Sequence, residues 1–291
     1  MPATIRIGTS GWSYPDWVGP FYPRTLTDRG RWLSHYATIL EAVEVNSTYY
    51  RLPSATTVTR WSALGRAHPD FRLSLKVPQR VTHEFLLRGD IDGSVASFEE
   101  FYGAVARPLL RTRMLAALLL QLPPGQRWEG EQPRLLARLL DRLPRKVPCV
   151  IEPRHPSWYH HGRLRPNAAA LLQDSSVSCA WVDGPHLPAA CPRTGPLTYL
   201  RLHGRNDDVW DHPGAGATPP RGGTSLPADP RGRVNRYDYR YTATELRPWV
   251  QEVANQQHGD AGVLVFFNNH PGAQSAINAM QFRRMLSGEP D

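Results

Sequence analysis

Glu44-Val45-Asn46-Ser47-Thr48-Tyr49-Tyr50-Arg51-Leu52-Pro53 closes an apolar run that begins at Leu40, ending it in a carboxylate, an amide, hydroxyls, phenols and a guanidinium. Period-2 alternation puts Glu44 and Asn46 on one face and Val43 and Val45 on the other, so the stretch reads as a strand opening into a working surface. A buried glutamate satisfied by hydrogen bonds would leave the same trace. Repetition favours the functional reading, because strand after strand in this chain ends the same way.

Upstream, the alternating segment at 5–8 runs into Thr9-Ser10-Gly11-Trp12-Ser13-Tyr14, a Gly-bounded loop whose amides suit an anion. It lacks the second spacer of a G-x-S-x-G nucleophile elbow, so Ser10 is a ligand rather than a nucleophile. The aromatics Trp12, Tyr14, Trp17, Phe21 and Tyr22 follow closely, either as packing or as a stacking platform. Helical periodicity over 30–38 precedes the quoted stretch, and Ser54 to Thr57 cap a helix that stops near His68-Pro69.

Downstream, the alternating strand at 71–77 ends in Lys76 before a proline, where a lone lysine is a candidate phosphate ligand or general base. Thr82, His83 and Arg88 follow in a loop, then a helix over 94–110 and a buried strand over 114–122 that carries Gln121. A helix over 132–143 leads to the strand ending Glu152-Pro153-Arg154-His155-Pro156, whose prolines hold the backbone extended. A helix over 167–174 precedes a strand ending at Asp183, and the next strand places Tyr199, Arg201 and His203 on one face. Periodicity is then lost over 204–240, a loop long enough to be a lid. A helix over 243–257, a strand over 261–267 ending in Asn268-Asn269, and a helix over 276–286 complete the chain.

About eight strands separated by helices are the signature of a single-domain (β/α)8 TIM barrel. In that fold the C-terminal strand ends share one face, which would gather Ser10, Glu44, Asn46, Lys76, Gln121, Glu152, Arg154, His155, Asp183, Arg201, His203 and Asn268.

With 291 residues and 41% apolar content the chain can bury one large core. No apolar run approaches the roughly 20 residues of a membrane span, and the N-terminus lacks a signal-peptide pattern. Cys149, Cys179 and Cys191 are too scattered for a zinc ribbon or redox pair. A cytoplasmic protein with no membrane partner is expected. The net charge of +8 comes almost wholly from arginine, since only Lys76 and Lys146 are lysines. That balance suits polyanionic partners but equally reflects a coding sequence rich in Arg, Ala and Pro.

Over nearly its whole length the chain resembles the YecE-like proteins, also called domain of unknown function 72. The resemblance runs through residues 7–14, 44–53, Lys76-Val77-Pro78, Thr82-His83, 121–124, 152–158, 199–204 and Phe267-Asn268-Asn269. It implies a TIM barrel. The loop over 206–234 is longer and richer in Gly and Pro than the usual pattern.

A phosphodiesterase, in particular a nuclease or DNA-repair enzyme, is the leading functional expectation, because barrels of the endonuclease IV type are similar in layout. Arg51, Lys76, Arg88, Arg154 and Arg201 would bind phosphates, and Trp12 and Tyr50 would stack on bases. Glu44, Glu152, Asp183 and His203 would hold a divalent metal (Mg, Mn or Zn), if one is used. Ser10, Tyr14, Asn46, His83 and Asn268 complete the expected substrate contacts. The alternatives are a metal-independent enzyme of a sugar or small phosphorylated molecule, with Glu44 or Glu152 as base and His155 or His203 as acid, or a non-catalytic nucleic-acid binder.

Overall fold

The structure, a computed structural model, describes residues 4–185, 188–190, 192–206, 237–256 and 262–289. Most of the expected lid over 204–240 lies outside the described residues, as does Cys191. Parallel strands β1 (Ile5–Ser10), β2 (Ala42–Val45), β3 (Arg72–Lys76), β4 (Leu115–Gln121), β5 (Cys149–Glu152), β6 (Ser178–Cys179), β7 (Trp181–Asp183), β8 (Leu197–Leu202) and β9 (Gly262–Phe267) form one sheet. Its order is β6-β5-β4-β3-β2-β1-β9-β8-β7. The two ends of that order are β6 and β7, halves of one extended segment interrupted at Ala180. β6 pairs with β5 and β7 with β8, so this segment closes the sheet into a barrel. The strand expected over 177–182 is thus the seam.

Alternation along the strands sorts side chains into two layers. Ala42, Ala117, Leu119, Val150, Ala180, Val182, Tyr199, Leu264 and Phe266 fill the barrel interior. Val43, Val45, Leu73, Leu75, Leu118, Leu120, Ile151, Trp181, Leu200 and Val265 belong to the larger cluster between sheet and helices. Both faces are buried, so the strands read as continuous apolar runs. Gly8 is required where β1 pairs with β2, because a Cβ there would lie 1.7 Å from the Ala42 carbonyl oxygen.

The helices are α1 (Trp32–Tyr36), α2 (Ala55–Ala67), α3 (Ile91–Phe101), α4 (Arg107–Arg111), α5 (Gln132–Leu140), α6 (Pro166–Asp174), α7 (Ala243–Ala254) and α8 (Gln274–Ser287). Ser54 caps α2 by accepting from the Thr57 amide at 3.2 Å. α7 begins with a Thr242–Glu245 capping box. The helix expected over 94–110 is real but interrupted, since a π-helical turn over Tyr102–Ala106 joins α3 to α4. Thr82 and His83, expected in a loop, lie in a π-helical turn over Arg80–Phe85. Among the described residues no helix is long and apolar enough to cross a membrane.

Candidate active site

Arg201 is the centre of the barrel mouth. It lies on the inward face of β8 and is 2% exposed. A guanidinium in an apolar interior is stable only if its charge is paired, and Arg201 bridges two carboxylates. Its Nη2 donates to Glu44 Oε1 at 2.6 Å and its Nη1 donates to Glu152 Oε2. Glu44 also accepts from Ser10 Oγ at 2.8 Å and from the Tyr199 hydroxyl at 2.6 Å. Tyr199 in turn lies 2.7 Å from Ser74 Oγ. Glu152 further accepts from Gln121 Nε2 at 3.1 Å and pairs with Arg154 Nε.

These contacts fix the charge states. Burial alone would push the Glu44 and Glu152 carboxyls up, but Arg201 at Glu44, and Arg154 with Arg201 at Glu152, hold both below the usual carboxylate range. Burial would likewise lower Arg201, and the two glutamates outweigh it, so it stays protonated. Glu44 and Glu152, the two alternatives expected for a general base, are ionised acceptors each already engaged by three side chains.

His203 continues the inward row of β8. Its Nε2 is 3.1 Å from Arg154 Nη2, and its Nδ1 is 2.9 Å from Asn268 Nδ2. Burial first, then Arg154 and Arg201, push His203 down to about 4, so the imidazole is neutral at pH 7. Lys76, at the end of β3, is half-buried with Nζ 3.9 Å from the centroid of the Tyr49 ring. Burial, then the charge of Arg201, bring it down to about 8. Tyr49 also meets the His83 ring edge-on at 5.2 Å. His83 is lowered to about 4 by burial, Lys76 and Arg154.

Of the residues expected at the site, Ser10, Glu44, Lys76, Gln121, Glu152, Arg154, Arg201, His203, Asn268 and His83 are joined by these contacts or fields. Tyr14 lies beside them, its hydroxyl donating to the Ser10 carbonyl at 2.8 Å and its ring stacked on His270 at 4.6 Å. Trp12 is half-buried against Trp61, and Trp17 and Tyr22 are buried packing. Two of the amides expected to hold an anion are engaged: Thr9 N donates to the Tyr36 hydroxyl at 2.8 Å and Gly11 N to the Glu44 carbonyl at 2.8 Å.

Other expected residues stand apart. β2 ends at Val45 and Asn46 is already helical (φ −77°, ψ −24°), so strand parity does not set its direction. Its Oδ1 is buried without a hydrogen-bond partner among the described residues. Asp183 has the outward parity of Trp181. It accepts from Arg205 at 2.9 and 2.6 Å, from the Tyr241 hydroxyl at 2.9 Å and from Trp249 Nε1 at 2.6 Å, binding the seam to α7. His155 turns back, its Nδ1 accepting from the Ser157 amide at 3.0 Å to cap a 3-10 turn. Tyr50, Arg51 and Arg88 are exposed.

The expected metal ligands do not fit a metal. Asp183 is outside the barrel, Glu44 and Glu152 are bonded by guanidinium groups, and His203 stands between Arg154 and Asn268. No cluster of three or more His, Cys, Asp or Glu among the described residues is arranged to hold an ion. Sequence reasoning missed Ser74, Tyr49 and His270 as parts of the site. Parity with Lys76 signals Ser74, and Tyr49 lies inside the opening stretch; nothing local signals His270.

The family model described as protein of unknown function DUF72 matches residues 6–291. The UPF0759 protein YunF of Bacillus subtilis is 26% identical over 98% of this chain and 95% of its own length. The UPF0759 protein YecE of Escherichia coli K12 is 31% identical over 65% of this chain and 63% of its own. A solved DUF72 family protein from Thermotoga maritima superposes with a TM-score of 0.77 at 28% identity, covering 98% of this chain and 99% of that one. Another from Enterococcus faecalis gives 0.74 at 24% identity over 99% and 97%. On the strength of a match spanning almost every residue from β1 to the end of the chain, this protein belongs to the DUF72 family.

Proposed function

We propose that the chain is an enzyme that holds a small phosphorylated molecule, such as a sugar phosphate, at the C-terminal mouth of the barrel and acts on it without a protein-held divalent metal. The observation that carries this reading is the surplus of cation around Arg201. Glu44 and Glu152 balance two of the three charges of Arg201, Arg154 and Lys76, and the two histidines add none. Arg154 keeps 16% of its side chain exposed and Lys76 is half-buried, so both are open to an anion. The reactive group is Lys76, whose pKa of about 8 lies close to neutrality. Glu44 and Glu152 serve to fix the guanidinium groups.

A thermal-shift screen of sugar phosphates beside their parent sugars, with chelator present, tests this. The phosphorylated members should raise Tm and the parent sugars should not, and Arg154→Gln should erase the difference. Equal shifts for both, or shifts that need added metal, would sink the reading.

A phosphodiesterase acting on DNA or RNA is the second reading, favoured by Tyr50. Its ring is 73% exposed beside Tyr49, where a base can stack, and exposed Arg51 follows it. Labelled single-stranded and duplex DNA and RNA, offered with Mg²⁺, Mn²⁺, Zn²⁺ or chelator, would be cleaved on this reading. Binding would weaken steeply with salt.

A further inference from the structure

We infer that Lys76 is a nucleophilic lysine that forms an imine with the carbonyl carbon of a phosphorylated aldehyde or ketone. The inference rests on the phosphate reading above and names the substrate class. It begins from what occupies the carboxylates. Glu44 and Glu152, the acids nearest in field to Lys76, are bonded by Arg201 and Arg154, so among the described residues no ion pair holds Lys76. Its ammonium instead lies over an aromatic face, with Nζ 3.9 Å from the Tyr49 centroid.

Burial disfavours the ammonium most, Arg201 and Arg154 oppose a further positive charge while Glu152 and Glu44 favour one, and the adjoining His83 is neutral. A desolvated amine beside cations is the arrangement that frees a lysine lone pair near neutral pH. Composition adds an independent observation. Two of the 34 basic residues are lysines, the other being exposed Lys146. Nearly everywhere else that a cation is needed this chain uses arginine, which cannot release its proton. At the strand end beside Arg201 it uses the one side chain that can.

The step balances without a redox partner. Neutral Lys76 Nζ bonds to the carbonyl carbon, giving a carbinolamine. The C–O bond then breaks, and the oxygen leaves as water carrying both amine protons. The carbon–nitrogen double bond so formed withdraws electrons from the adjacent carbon, while the phosphate is held by Arg154.

Glycolaldehyde phosphate is the probe, with unphosphorylated glycolaldehyde as its control and sodium cyanoborohydride to reduce the adduct. Peptide mass spectrometry locates it. Lys146 and the chain's α-amino group are internal references. The expected result is at least a tenfold preference for Lys76 with the phosphorylated probe, suppressed by inorganic phosphate. Lys76→Arg should keep the Tm rise given by phosphate yet show no adduct at the mouth. Labelling of Lys76 no faster than Lys146, while phosphate still raises Tm, would overturn the imine and leave the phosphate reading standing. Equal labelling of Lys76 by both probes, indifferent to phosphate, would overturn the substrate class while retaining the nucleophile.

Discussion

Arg201 donates to Glu44 and Glu152 together, so its removal would leave two buried carboxylates without their shared counter-charge. Arg201→Ala should cost roughly 3–5 kcal/mol in urea unfolding; a loss under about 1 kcal/mol would mean the glutamates are not ionised as a pair. Lys76 shows the opposite sign. Its pKa is about 8 in the fold against the ordinary lysine value of 10.5, so the unfolded chain binds the extra proton and stability rises with pH across that window. Lys76→Met should therefore stabilise the protein at pH 7, on the order of 1–3 kcal/mol, and the gain should shrink towards pH 10.5. A destabilised variant at neutral pH would refute a strained ammonium. His203 is lowered from 6.5 to about 4, so stability should fall as pH drops through that interval, and His203→Gln should flatten the slope. These charge states were not legible in the sequence, where Glu44 reads equally well as a base or as a structural acid. Only the distances to Arg201, Tyr199 and Ser10 decide.

Strand alternation carried most of the architecture, because an eight-fold repeat of apolar run and helical period admits few closures. Tyr199, Arg201 and His203 fall on one face as their spacing requires. Asp183 does not join them for a definable reason. Both faces of the seam strand are buried, with Val182 inside and Trp181 outside, and an apolar run on both faces does not mark which side is the interior. Asn46 escaped the alternation because the chain leaves β2 one residue earlier. Two substitutions test this account of the strands. Gly8→Ala should destabilise by at least about 1–3 kcal/mol, since the methyl would meet the Ala42 carbonyl and force β1 from β2. Asp183→Asn should speed amide exchange in α7, through weakened bonds to Trp249 and Arg205, while leaving phosphate binding intact. Lost phosphate binding in that variant would place Asp183 at the mouth after all.

Across the whole molecule, the charge of +8 gives a general pull on polyanions, whereas the site concentrates its surplus at one strand-end ring. The two differ in salt dependence. A small phosphate ligand contacting Arg154 and Lys76 should lose affinity gently with salt, while a nucleic acid spread over surface arginines should lose it steeply. Among the described residues Arg154 and Lys76 are the cations beside Arg201 that the proposed phosphate would meet. A crystal grown with chelator and soaked in tungstate, read by anomalous scattering, tests this most directly. A principal peak is expected between the Arg154 guanidinium and Lys76 Nζ, absent in Arg154→Gln. Peaks confined to exposed arginines such as Arg51 and Arg88, or a mouth peak unchanged in that variant, would contradict it.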